Sequence, residues 1–209
     1  MRKALTYDDV LLIPQYSDIE SRKEIDIGNT LHEGMILKLP VISSPMDTVS
    51  ERDMALAMCG AGGLTIVHRY NTIKNQCDIV KSARELVDST QYVGAAVGVT
   101  GDYLKRATQL FDSGANIICI DVAHGHHILV KSAIESIRNE LGNQLHIMAG
   151  NIATREGFEA LSDWGANSIR CNVGGGSICS TRIQTGHGIP GLQTIFDCAE
   201  SDRDAKIIA

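Results

Sequence analysis

Residues 117–121 have the sequence Ile-Ile-Cys-Ile-Asp, and residues 145–151 have the sequence Leu-His-Ile-Met-Ala-Gly-Asn. Each segment is an apolar run of strand length that ends in a polar side chain or a glycine. Residues 127–141, which lie between them, have the amphipathic pattern of a helix. The whole segment therefore predicts a strand–helix–strand unit with two parallel strands.

The same unit recurs along the chain. Strand-like runs occupy residues 40–43, 64–68, 92–97, 117–121, 145–149, 167–171 and 206–209. Helical stretches occupy residues 51–59, 72–87, 102–112, 127–141, 155–164 and 192–200. Ser50, Thr72, Thr100 and Thr154 are expected to begin four of these helices, because their hydroxyls can cap free N–H groups. Such repeats predict an α/β fold with a parallel sheet, either a barrel or a doubly wound open sheet.

The polar residues at the strand ends favour the barrel. Several strand runs end in chemically distinctive residues, among them Ser44, Arg69, Asp121, Asn151 and Arg170. Barrel enzymes build their sites from many strand ends at once, whereas an open sheet concentrates its site at one switch point. No Gly-x-Gly-x-x-Gly follows the first strand run. We therefore expect a TIM (β/α)8 barrel.

The domain boundaries follow from the seven strand runs and six helical stretches. Residues 1–209 are expected to form a single barrel domain, with an N-terminal extension over residues 1–39 that covers the bottom of the barrel. The barrel units would then occupy residues 40–209. Seven strands cannot close an eight-stranded barrel, so we expect the barrel to be truncated after the start of strand 7, with its C-terminal part missing.

Composition excludes several classes of protein. The 209 residues carry a net charge of −6 and show no basic patch, which argues against a general nucleic-acid binder. No apolar run is long enough to span a membrane, and no signal peptide is recognisable. The six cysteines are scattered without a pairing pattern, which indicates free thiols and a cytoplasmic setting. Cysteines in the helices and strands are expected to be packed thiols. The histidines at 124, 126 and 127 are expected to lie on a loop rather than to bind a metal.

One loop carries the strongest chemical signal. Residues 174–182 have the sequence Gly-Gly-Gly-Ser-Ile-Cys-Ser-Thr-Arg. Three glycines allow the backbone to approach a ligand closely, and the bare N–H groups of such a loop suit a phosphate. Cys179 follows at once, and a thiol presented in this way can act as a nucleophile. A neighbouring arginine, Arg182, and the loop N–H groups would lower its pKa.

Six segments together resemble the IMP dehydrogenase and GMP reductase family of purine nucleotide oxidoreductases. They are residues 5–10 (Leu-Thr-Tyr-Asp-Asp-Val), 43–49 (Ser-Ser-Pro-Met-Asp-Thr-Val), 94–98 (Gly-Ala-Ala-Val-Gly), 121–126 (Asp-Val-Ala-His-Gly-His), 149–151 (Ala-Gly-Asn) and 174–182. The resemblance runs from about residue 5 to the last residue. It implies a (β/α)8 barrel, a homotetramer and a nucleoside monophosphate substrate. Asn172 stands where this family usually has a glycine.

The resemblance also implies a role for individual residues. Cys179 would attack C2 of the purine ring, and Thr181 would assist proton transfer. The implied substrate contacts are Ser44, Met46, Asn151, Arg170, Gly176 and Ser177. Asp121 and Gly174 would contact the cofactor, NAD or NADP. The backbone carbonyls of Gly174, Gly176 and Cys179 would bind a potassium ion.

The family contains two activities that use the same cysteine. IMP dehydrogenase converts IMP, NAD and water to XMP and NADH in GMP biosynthesis, and residues 62–63, residues 94–98 and Ile178 favour it. GMP reductase converts GMP and NADPH to IMP and ammonia, and residues 21–26 resemble reductases. Residues 72–91 are too few to contain the inserted regulatory CBS module of most dehydrogenases. We favour the dehydrogenase. The alternatives are the reductase and a non-catalytic nucleotide-binding fragment or pseudoenzyme.

Overall fold

The strand and helix pattern is realised in a computed structural model that describes residues 3–32, 34–88, 90–176 and 179–209. The elements in chain order are β1 (Asn29–His32), β2 (Met35–Leu37), β3 (Ile42–Ser43), α1 (Arg52–Gly60), β4 (Leu64–Val67), α2 (Ile73–Leu86), β5 (Val93–Val97), α3 (Tyr103–Asp112), β6 (Ile117–Asp121), α4 (Ile128–Leu141), β7 (His146–Gly150), α5 (Arg155–Asp163), β8 (Ser168–Arg170), α6 (Ser180–Thr185), α7 (Gly191–Ala199) and β9 (Lys206–Ile208).

Strands β3 to β9 form one parallel sheet in the order in which they occur in the chain. Each connection between neighbouring strands contains at least one helix, so all strand C-termini lie along the same edge. The sheet curls: its two outermost strands approach each other, since Ile42 of β3 and Ile208 of β9 line the same cavity of about 530 Å³. The α/β prediction is therefore confirmed as a curled seven-stranded sheet that forms part of a TIM barrel.

Two apolar cores lie on opposite faces of this sheet. In β5, Val93, Ala95 and Val97 pack outward with the helices, whereas Ala96 packs inward. In β6, Ile118 and Ile120 pack outward, and their neighbours Ile117 and Cys119 pack inward. Burial on both faces explains why the strand runs are almost continuously apolar rather than alternating.

The N-terminal region contains a feature that the sequence pattern does not indicate. Strands β1 and β2 form an antiparallel hairpin outside the main sheet. Leu31 and Leu37 of this hairpin are buried in the inner core, against Leu64, Ile66 and Ile117 among others. The hairpin thus packs against the interior of the barrel, while Leu11, Leu12 and Ile13 further upstream are almost fully exposed.

Two of the four expected helix caps are confirmed. The hydroxyl of Thr72 accepts a hydrogen bond from the N–H of Asn75 at 3.1 Å, and that of Thr154 accepts one from Gly157 at 3.1 Å. The expectation for Thr100 and Ser50 is wrong, since Asp102 and Glu51 precede α3 and α1. The hydroxyl of Ser50 is buried and bonded elsewhere.

Helix α6 is a second element that the sequence pattern does not indicate. It begins directly after Cys179 and ends at Gly186, whose φ of +70° only glycine adopts without strain. The chain then folds back, because the N–H of Ile189 donates to the carbonyl of Val173 at 3.0 Å. The glycine loop (residues 174–176) and α6 are thereby held above the end of β8.

Candidate active site

Two adjoining clefts open at the C-terminal edge of the sheet. The large cleft has a volume of about 280 Å³ and the small cleft a volume of about 170 Å³. Residues predicted from the sequence line the large cleft: Ser44, Asn151, Arg170, Gly174, Gly176 and Cys179. Asp121 and Thr181 line the small cleft. Cys179, Asn151 and Gly174 line both clefts and so belong to the wall between them.

Two predicted site residues do not join this group. Met46 is 42% exposed and lines neither cleft. Ser177, together with Ile178, lies outside the described residues. Eight of the ten residues predicted from the sequence therefore meet at one edge of the sheet.

A buried hydroxyl network holds the turn that carries Ser44. The Oγ atom of Ser43 lies 2.8 Å from Oγ of Ser50 and 2.6 Å from Oγ1 of Thr65. The hydroxyl of Ser50 donates to the carbonyl of Ser44 at 2.5 Å. Because Ser43, Ser50 and Thr65 are buried, these bonds fix the β3–α1 turn against the barrel.

An ion pair crosses the mouth of the barrel between β6 and β8. Nη1 of Arg170 lies 2.5 Å from Oδ1 of Asp121, and both side chains are mostly buried. Gly150 is the lateral neighbour of both residues in the sheet. A Cβ atom at Gly150 would lie 2.7 Å from Cβ of Arg170, so glycine is needed for Arg170 to reach across β7.

Burial and charge determine the state of the groups around this pair. Burial raises the pKa of Cys119 to about 11, so its thiol is neutral beside the guanidinium. Burial opposes the charge on Arg170, but the ion pair and hydrogen bond with Asp121 outweigh it and raise the pKa of the guanidinium. One oxygen of Asp121 is therefore engaged by a permanently charged partner.

Cys179 differs from the other thiols. All six cysteines are free, and all except Cys179 are buried. Hydrogen bonds from the backbone N–H of Arg182, and then from the N–H and hydroxyl of Thr181, lower the pKa of the Cys179 thiol. The N–H of Cys179 itself donates to the carbonyl of Gly176 at 3.1 Å. A partly exposed thiol with a depressed pKa is the pattern of a reactive cysteine.

Two side chains in the clefts have polar atoms without a partner among the described residues. Oδ1 of Asn151 is buried and unpaired, whereas its Nδ2 donates to the carbonyl of Asn172 at 3.0 Å. Nε of Arg69 is likewise buried and unpaired, and Arg69 lines the small cleft beside Asp121. Buried polar atoms are normally satisfied, so these two are candidates for ligand contacts.

Arg69 and Asn172 are site residues that the sequence prediction did not include. Arg69 follows β4 closely, and the strand-end rule selected it together with Asp121, but no role in the site was assigned to it. The loop that carries Arg69 is held by Arg106, which donates to the carbonyl of Asn71 and to Oε1 of Gln76 at 2.8 Å. Nε2 of Gln76 in turn donates to the carbonyls of Val67 and Ala96 at the ends of β4 and β5.

The three histidines after β6 contact neighbouring groups of the protein. Nδ1 of His127 accepts a hydrogen bond from the N–H of Leu129 at 3.1 Å and so caps α4. The rings of His124 and His127 lie 6.5 Å apart, and His126 packs beside Trp164. In the described part of the chain, no three His, Cys, Asp or Glu side chains are grouped so that they could hold a metal.

The fold and the position of the clefts define a barrel protein with its site at the C-terminal strand ends. The chain belongs to the IMP dehydrogenase / GMP reductase family, whose domain model matches residues 4–209. This is a family of purine nucleotide oxidoreductases. In the described residues, no helix is both long enough and apolar enough to cross a membrane.

Similar proteins carry both family names. An inosine-5'-monophosphate dehydrogenase of Nitrosopumilus maritimus is 28% identical, over 99% of this chain and 68% of its own length. One from Cryptosporidium parvum is 30% identical, over 94% of this chain and 58% of its own length. A GMP reductase of Mycoplasma mycoides is 33% identical, over 91% of this chain and 58% of its own length. This chain thus spans about three fifths to two thirds of the length of these relatives.

Proposed function

We propose that the protein is a purine nucleoside monophosphate oxidoreductase that uses Cys179 as a covalent nucleophile, and that its reaction is that of an IMP dehydrogenase. One observation carries the proposal: the only cysteine that is not buried lies in the wall shared by the two clefts. Hydride transfer between two ligands needs a reacting carbon held between two subsites. The large cleft suits the nucleotide and the small cleft suits the nicotinamide end of NAD.

The mechanism follows from the chemistry of the thiol. The Cys179 thiolate attacks C2 of the IMP base, and the hydrogen on C2 leaves with its electron pair. NAD, when bound, supplies the acceptor for this hydride. Water then adds to C2 of the cysteine adduct, its proton is removed, and the C2–sulfur bond breaks to release XMP. Thr181 lies beside the thiol, where its hydroxyl can pass a proton.

Other residues of the clefts would bind and orient the ligands. The unpaired Oδ1 of Asn151 can accept an N–H from the purine base. Ser44, with its turn held by buried hydroxyls, and Arg170 lie in the large cleft with Gly176, and we assign Ser177 and Met46 to the nucleotide by resemblance alone. Asp121 and Gly174 would contact the cofactor in the small cleft.

The glycine loop also fits a potassium ion. The groups of this loop that could coordinate the ion are backbone carbonyl oxygens, and oxygen ligands suit a hard cation such as potassium. Gly174 has a φ of +78°, and a Cβ atom there would lie 2.8 Å from Cα of Gly188, so the loop depends on glycine. The carbonyls of Gly174, Gly176 and Cys179 would hold the ion and stabilise the loop.

GMP reductase is the second candidate, because a relative of that name is 33% identical to this chain and residues 21–26 resemble reductases. The same thiolate would then attack C2 of GMP, and the amino group would leave with a proton as ammonia. C2 of the cysteine adduct would take up a hydride, for which bound NADPH would be the source, and the C2–sulfur bond would break to release IMP and the thiolate. We also propose that no regulatory CBS module is inserted between α2 and β5, since only residues 87–92 separate these two elements.

One assay separates these alternatives. The purified chain is incubated with IMP and NAD, and in parallel with GMP and NADPH, while the absorbance of the reduced cofactor is followed. Production of NADH only in the first mixture supports the dehydrogenase, and consumption of NADPH only in the second supports the reductase. Cys179→Ala should abolish either reaction. Nucleotide binding without turnover in both mixtures would contradict an enzyme and favour the non-catalytic alternative.

A further inference from the structure

Asn172 contacts two parts of the site, the end of β7 and the glycine loop. It is the second residue after β8, and its carbonyl accepts the hydrogen bond from Nδ2 of Asn151 at 3.0 Å. Its side chain turns back into the loop, where Oδ1 accepts the N–H of Gly175 at 3.2 Å. Asn172 also lines both the large and the small cleft. One residue thus connects the end of β7 with the glycine loop.

The space for this carboxamide exists because two neighbouring residues are glycines. A Cβ atom at Gly175 would clash with Oδ1 of Asn172. A Cβ atom at Gly191, the first residue of α7, would lie 3.3 Å from Nδ2 of Asn172. The side chain is therefore enclosed between the glycine loop and the start of α7, which restricts its movement.

The loop that Asn172 holds leads directly to the thiol. Gly175 is followed by Gly176, whose carbonyl accepts the N–H of Cys179. Gly174, on the other side of Gly175, contributes a backbone hydrogen bond to the Cys179 thiol. The Asn172–Gly175 hydrogen bond lies between these two contacts, so its loss would loosen both.

We propose that Asn172 is a positioning residue whose carboxamide fixes the glycine loop, and thereby the place of Cys179 and of the nucleotide. Without this carboxamide, the turn would lose the hydrogen bond that the N–H of Gly175 donates to Oδ1 of Asn172. This role rests on the proposed function for its nucleotide, but the hydrogen bond itself can be tested without any ligand. A side-chain oxygen that accepts the N–H three residues further on is a bond that serine can also form.

The test compares Asn172→Ala with Asn172→Ser, which differ by one hydroxyl group. In the alanine variant, we expect the Gly175 amide to exchange with solvent faster, as seen by NMR of glycine-labelled protein. We also expect IMP to bind about fivefold more weakly by calorimetry, because a hydrogen bond of ordinary strength is lost from the loop. The serine variant should restore both the protection and the affinity. Asn143→Ala, on an exposed loop, serves as the control.

The possible outcomes are distinct. Unchanged exchange at Gly175 in Asn172→Ala overturns the proposal, and so does equal weakening of IMP binding in the alanine and serine variants. The latter result would mean that only the volume of the side chain matters. If wild-type protein does not bind IMP, the proposed function fails, and the exchange comparison alone then decides whether the bond fixes the loop.

Discussion

Gly150 shows how one residue without a side chain shapes the site. It lies between Asp121 and Arg170 in the sheet and leaves the space through which the guanidinium reaches the carboxylate. The resulting ion pair is mostly buried, beside a neutral Cys119 thiol. Charges in such a place must be paired, because an isolated buried charge is costly. The pair therefore fixes both the charge and the geometry at the end of β6.

Removal of both partners of this ion pair should destabilise the protein by less than the sum of the two single removals. For Arg170→Gln, we expect the free energy of unfolding to fall by about 3 kcal/mol, because Asp121 is left without its partner. The double variant Arg170→Gln with Asp121→Asn should lose less than the sum of the two single variants. Urea unfolding of the four proteins measures this coupling. Additive losses would show that the two side chains do not depend on each other.

The strand-end residues were predictable, whereas their partners were not. The rule that barrel strands carry their site at the C-terminal end was enough to select Asp121, Asn151 and Arg170 from the sequence. The unpaired Nε of Arg69 and the hydrogen bond from Gly175 to Asn172 depend on how loops fold back, which no periodicity reports. Met46 was selected by resemblance, and its side chain lines neither cleft.

Among the elements, those of the strand–helix repeat were predictable from the sequence, and those outside the repeat were not. The seven strands of the sheet and the six longer helices follow from apolar runs and amphipathic spacing. Strand β2 (three residues) and α6 (six residues) lie outside the strand–helix repeat from which the other elements were predicted. The first is held by burial of Leu37, and the second by the return of the chain past Val173.

The inner core sets a limit on the volume of β5. A Cβ atom at Gly94 would clash with Ile66 and lie 3.2 Å from Cβ of Ile117. We expect Gly94→Ala to lower the free energy of unfolding by about 1–3 kcal/mol, because the packed strands must move apart. Gly60→Ala is the matched control, since a Cβ there would meet no described atom within 4 Å other than its chain neighbours and the backbone of its own helix. That helical substitution should stabilise by about 0.5–1 kcal/mol. A stable Gly94→Ala in thermal unfolding would contradict this view of the core.

The contact of the β1–β2 hairpin with β7 should depend on pH. Nε2 of His146 lies 2.8 Å from Oγ of Ser168, and its Nδ1 is buried without a described partner. The ring packs edge-on against His32 of β1 at 5.5 Å. Burial, followed by the charges of His32 and Arg138, lowers the pKa of His146 to about 3. The ring is therefore neutral in the folded protein.

Acid should weaken the fold through His146 in a defined pH range. Unfolded chains bind a proton at histidine below pH of about 6.5, whereas folded His146 resists protonation until about pH 3. The stabilisation present above the higher value is therefore lost as pH falls toward the lower one. In urea unfolding between pH 6.5 and 4.5, His146→Asn should reduce this loss relative to wild type. His124→Asn, in an exposed loop, should leave the slope unchanged; equal slopes for wild type and His146→Asn would contradict the assignment.

At the scale of the whole molecule, several strongly exposed apolar side chains lie close together in the N-terminal segment. Leu11, Leu12, Ile13 and Tyr16 are each at least 80% exposed, and they lie within six consecutive residues. Contiguous apolar surface on a folded protein commonly marks a surface that binds another protein. The homotetramer expected from the sequence makes a second copy of this chain the partner to test for this segment.

Self-association should therefore depend on this segment. In sedimentation velocity, we expect the wild-type chain to sediment as species heavier than 22.6 kDa, increasingly so at higher concentration. Leu11→Lys combined with Leu12→Lys should shift the distribution toward the monomer, because two lysines in the segment oppose burial of the apolar surface. Leu86→Lys is the control: Leu86 is also exposed, but it lies on α2 and outside the segment. A monomeric wild type, or an equal shift in Leu86→Lys, would show that the segment does not join copies of the chain. The role of its apolar side chains would then have to be sought within a single molecule.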